Sequence, residues 1–63
     1  MYQRTEHRDG YDIITTVDDS GNYDQVAKWL DGTITSHCKM NVLKIGWSSV
    51  KEFLRERKGF VAI

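Results

Sequence analysis

Cys38 is the sole cysteine in a chain of 63 residues, so no internal disulfide can hold the fold together. A chain of this length buries only about 60% of the surface that its unfolded form exposes. Without a disulfide, its stability must come from one compact core, a metal or a partner subunit. Residues 1–63 leave room for a single small domain. One unpaired thiol suits a reducing compartment. The opening residues Met1–Glu6 lack the apolar run of a secretion signal, so a cytoplasmic location is expected.

The formal net charge is zero but unevenly spread. Residues 1–36 set Arg4, Arg8 and Lys28 against seven carboxylates, a net of −4. Residues 37–63 set six cations against Glu52 and Glu56, a net of +4. Such a split either lets the two halves attract each other or turns a basic face toward an anionic partner.

Two segments carry helical periodicity. Tyr23, Val26, Ala27 and Leu30 fall at i, i+3, i+4 and i+7, with Asn22 as cap, Gln25 three residues later and Gly32 as stop. This predicts a helix over 22–31. Val50, Phe53 and Leu54 share a second apolar face behind the Ser49-x-x-Glu52 capping box, and Gly59 ends it, which predicts a helix over 49–58. Strands are expected at 11–17, which is rich in β-branched residues, at 40–45, at 60–63 and, more weakly, at 33–35.

A shift of 27 residues lays Gly32 on Gly59 and Tyr23 on Val50, a faint echo that favours βαββαβ order. The expected fold class is therefore α+β: a small domain with two helices on one antiparallel or mixed sheet, in ferredoxin-like order. The alternative, ββα-β-αβ, pairs residues 2–7 with 11–17 across Arg8-Asp9-Gly10, because Asp-Gly is a strong hairpin signal. A third reading makes 36–45 helical and gives a helix-turn-helix-like core.

The residues for catalysis are sparse. His7 and His37 are the two histidines, and neighbours such as His37 and Cys38 point to opposite faces of a strand. They form no recognised zinc spacing. Asp18, Ser20, Asn22 and Asp24 alternate oxygen ligands, but Gly21 sits at the fourth place of the loop instead of the sixth, and Trp29 stands where a calcium loop needs its glutamate. These features predict no catalytic residue, no metal site and no cofactor.

Seven aromatics are plentiful for this length. Trp29 lies off the apolar stripe of its expected helix, and Trp47 precedes the second helix. The expected partner-binding residues are Trp29 and Trp47, beside Lys44, Lys51, Arg55 and Lys58. The expected function is that of a small non-enzymatic regulatory or inhibitory protein acting by protein–protein contact. Short ordered chains of this kind resemble phage and mobile-element regulators only by analogy. The alternative is nucleic-acid binding through the basic C-terminal half, where base stacking on tryptophan could accompany phosphate contacts. The apolar ending Phe60, Val61, Ala62 and Ile63 carries no charge or proline to discourage edge pairing, so a homodimer through it is a further expectation.

Overall fold

A computed structural model describes the backbone of residues 1–63 and every side chain except those of residues 36 and 37. Among the described residues there are five strands and one helix: β1 (Tyr2–Arg8), β2 (Tyr11–Val17), β3 (Asn22–Trp29), β4 (Ile34–Asn41), α1 (Val50–Glu56) and β5 (Val61–Ala62). The sheet runs β4-β3-β2-β1-β5, and every neighbouring pair is antiparallel.

This corrects the expected two-helix α+β fold in both of its orders. Residues 22–31 do not form a helix. Asn22–Trp29 is a strand flanked on both sides by longer ladders than any local signal could foresee. The echo at 27 residues therefore matches a strand to a helix and reflects no repeated unit. Residues 40–45 also differ from expectation, since β4 starts earlier, at Ile34, and ends at Asn41. The same strand overturns the reading of 36–45 as a helix.

Three local signals hold. Asp9-Gly10 joins β1 to β2 in a tight hairpin, with Arg8 opposite Tyr11 and Gly10 at φ 85°. The capping box starts α1: the Ser49 hydroxyl accepts the Glu52 N–H at 3.1 Å, and Ser48 donates to the Glu52 carboxylate. The terminal segment forms the edge strand β5, with Tyr2 opposite Ala62.

The turn between β2 and β3 is built on Asp18, whose carboxylate accepts the N–H groups of Ser20 and Asn22, each at 2.9 Å, and the Asn22 side-chain amide at 3.0 Å. These hydrogen bonds, led by the Asn22 amide, hold the Asp18 carboxyl below its ordinary value. A calcium-like series of oxygens is thus a self-contained Asx turn.

The core sits at one end of the sheet. Among the described residues, Val17, Val42 and Phe53 are the buried apolar side chains. Tyr23, Trp47, Val50, Leu54 and Phe60 pack around them. Seven residues make too short a helix to stand on propensity, so α1 depends on the burial of Phe53. On the sheet below, Thr15 is fully buried, and its hydroxyl accepts the Gln25 amide at 3.1 Å. Arg4 lies over the Phe60 ring at 5.0 Å and pairs with Glu6 at 2.5 Å; Glu6 also holds Arg8 at 2.6 Å. The molecule is elongated, 37 × 19 × 18 Å, because the strands run well beyond this core. Among the described residues no helix is long and apolar enough to cross a membrane.

Candidate protein-binding surface

The surface of interest is the end of the sheet remote from the core. On β2 and β3 the pairs Val17–Tyr23, Thr15–Gln25, Ile13–Ala27 and Tyr11–Trp29 share one face, since directly opposed residues point the same way. Val17 and Tyr23 touch the core. Trp29, six residues further along β3, stands about 20 Å away at the usual rise per residue.

Trp29 is fixed there without being buried. Its ring packs on Tyr11, with centroids 4.9 Å apart and planes at 40°. Its indole N–H donates to the Thr35 hydroxyl of β4 at 2.5 Å. Its backbone N–H donates to the Thr33 carbonyl at 2.8 Å, and its carbonyl accepts the Gly32 N–H at 2.9 Å. A register shift between Ala27 and Lys28 accompanies this closure of the β3–β4 turn. Asp31 completes the turn by accepting the Thr33 N–H at 2.9 Å. Hydrogen bonds from the Thr33 side chain and backbone keep the Asp31 carboxyl below its ordinary value.

Even so, Trp29 is 40% exposed and the adjoining Leu30 88% exposed. Ile34, at the start of β4, is exposed as well. Trp29 lines two shallow hollows. One, of about 470 Å³, is shared with Gly10, Leu30, Asp31, Thr33 and Thr35. The other, of about 330 Å³, includes Tyr11, Ile13, Ala27 and Thr35. A larger hollow of about 550 Å³ at the opposite end is walled by Met1, Tyr23 and Met40 together with Asp18, Asn22 and Lys39, and its Asp18 carboxylate is already engaged.

The other expected site residues lie elsewhere. Trp47 belongs to the core, edge-on to Phe53 at 5.3 Å and 85°. Lys44 is exposed in the turn after β4. Lys51 and Arg55 are exposed at i and i+4 on α1, and both line a hollow with Ser49 and Glu52. Lys58 is exposed beyond the helix, and its carbonyl accepts from Arg4. The structure therefore separates Trp29 from the basic residues and joins it to Tyr11 and Leu30, which the helical reading overlooked. The available signal was the alternation Tyr23-Gln25-Ala27-Trp29, which matches Tyr11-Ile13-Thr15-Val17 pair for pair.

Among the described residues, no three His, Cys, Asp or Glu side chains gather as metal ligands. His7 is engaged with Asp12 at 2.8 Å, and the side chain of His37 lies outside the described residues. Comparisons with protein-family models, curated proteins and solved structures return no match.

Proposed function

We propose that this protein is a small binding module that acts by protein–protein contact, without catalysis, and that the Tyr11–Trp29–Leu30 tip is its contact surface. One observation carries this reading: Trp29 is held by Tyr11, Thr33 and Thr35 yet stays partly open to solvent, about 20 Å from the core. A tryptophan whose orientation is set in advance loses little freedom on binding, which makes it an efficient anchor. Leu30 adds apolar area that the fold itself leaves unused.

The test compares the wild type with a Trp29→Ser, Leu30→Ser double variant as immobilised bait, with and without nuclease. The wild type is expected to retain a protein ligand that survives nuclease. The double variant should bind it roughly 30-fold or more weakly, the loss of at least one hot spot. Its far-ultraviolet spectrum should still report the sheet, and its melting should fall only by the loss of the Tyr11 ring contact and the Thr35 hydrogen bond, because neither residue touches the core. Unchanged binding by the double variant contradicts the proposal.

The competing nucleic-acid reading rests on exposed Lys51 and Arg55 sharing one side of α1, with Lys58 beyond. Under it, glutamine at these three positions flattens a steep salt dependence, and the tip variant binds normally.

A further inference from the structure

The two edges of the sheet differ. At one, β5 supplies only two residues; at the other, β4 offers eight. The strand β4 contains no proline, and Lys39 is its one permanently charged residue, so little guards this edge against pairing.

The direction of its backbone groups follows from its neighbours. The Val42 N–H donates to the Gly21 carbonyl at 2.9 Å, so the residues that bond inward to β3 alternate from Val42: Met40, Cys38 and residue 36. The N–H and C=O groups of residues 37 and 39 therefore face outward, away from the sheet. Asn41 contributes less, because its carbonyl already accepts from Lys44 and Ile45 at 3.1 and 3.2 Å.

We propose that β4 pairs antiparallel with β4 of a second copy of this chain, joining two five-stranded sheets into one. The choice of a second copy rests on how the strand matches itself across a two-fold axis. Outward-facing residues must meet outward-facing residues, so the two-fold axis passes through a residue, and the registers that overlap the middle of the strand are centred on 37, 38 or 39. Centring on Lys39 sets two like charges face to face and draws on the occupied Asn41 carbonyl. Centring on residue 37 leans on the irregular stretch near Thr35, beside the register shift. Centring on Cys38 places residue 37 opposite Lys39 twice, which gives four backbone hydrogen bonds and keeps the two ammonium groups apart. A chain with so small a core gains from a partner subunit. The contact is separate from the Trp29 tip and stands or falls independently of it.

In this register Cys38 meets its counterpart in a non-hydrogen-bonded pair, with Cα atoms about 4.5 Å apart, within reach of a disulfide. The test combines sedimentation, amide exchange and cross-linking of the purified full chain. Sedimentation should give twice the mass of one chain at high concentration. The outward amides of residues 37 and 39 should exchange at least about tenfold more slowly there than in dilute solution. Copper–phenanthroline, which takes one electron from each thiol as its proton leaves to solvent, should link Cys38 to Cys38. A Cys38→Ser, Lys39→Cys variant should link at least about tenfold more slowly, because its thiols are offset along the strands.

Lys39→Pro removes an outward N–H without touching the ladder to β3, so it should yield a folded monomer. Should that variant fail to fold, the exchange and cross-linking of the unaltered edge still decide the matter. A wild type that remains monomeric overturns the proposal. So does a dimer in which the residue 39 amide exchanges freely, since its contact then lies at β5 or at the tip.

Discussion

Phe53→Ala is expected to remove a third or more of the stability of the fold. Phe53 is 4% exposed, and its ring centroid lies 6.0 Å from that of Tyr23, 5.3 Å from that of Trp47 and 5.8 Å from that of Phe60, so its ring joins α1, the sheet, the turn after β4 and the C-terminal segment. Removing a buried phenylalanine costs about 3–5 kcal/mol, as lost transfer energy plus an unfilled cavity. A chain of this length has roughly 3–9 kcal/mol in total, at about 0.05–0.15 kcal/mol per residue. A single substitution therefore takes a third of the total or more. Urea unfolding followed by tryptophan fluorescence measures the loss directly, because Trp47 lies against the ring being removed. A loss below about 1 kcal/mol would mean that the core lies elsewhere.

Gly21→Val is expected to be nearly as damaging, for a different reason. Gly21 ends the β2–β3 turn at φ +89°, where a side chain costs about 1–2 kcal/mol. Its missing Cβ would stand 3.1 Å from the Val42 Cγ2 and 3.3 Å from the Val50 Cγ2. Both neighbours belong to the packed end of the molecule and have little room to retreat, which adds about 1–3 kcal/mol of crowding. The combined effect is about 2–5 kcal/mol. Gly32 provides the control: it also has positive φ, at +91°, but has nothing within 4 Å of the site of a Cβ. Gly32→Ala should cost only the backbone part, about 1–2 kcal/mol. Melting curves of the two variants, taken together, separate conformational strain from crowding.

What the sequence made legible follows the range of each signal. The Asp9-Gly10 hairpin and the Ser49-capped helix depend on residues within a few positions of each other, and both are present. The strand β3 depends on β2 and β4, which flank it, and no window of ten residues contains them. Its Tyr23, Val26, Ala27 and Leu30 satisfy a helical period, while Tyr23, Gln25, Ala27 and Trp29 satisfy alternation equally well. Pairing on both sides settled the conflict, as context commonly overrides propensity. Gly32 was compatible with either outcome, because the positive φ of a helix stop also suits the turn from β3 to β4.

The same misreading shaped the candidate site. Placed on a helix, Trp29 stood off the apolar stripe and suggested a surface shared with Trp47 and the lysines. Placed on a strand, it faces Tyr11, while the turn through Gly46 brings Trp47 back onto Phe53. The two tryptophans thus serve opposite ends of the molecule.

Trp29 rides on a strand paired with β2 and rests on Tyr11 at the end remote from the core. Nuclear Overhauser contacts test this placement most directly. The Asp18 N–H bonds to the Asn22 carbonyl and the Leu30 N–H to the Gly10 carbonyl, so the pairs between them alternate in a known order. Short Hα–Hα contacts should therefore join Val17 to Tyr23, Thr15 to Gln25, Ile13 to Ala27 and Tyr11 to Trp29, with ring contacts between the last two. Sequential amide contacts and Hα-to-amide contacts three residues apart over 22–30, in place of these, would return that segment to a helix and contradict the account.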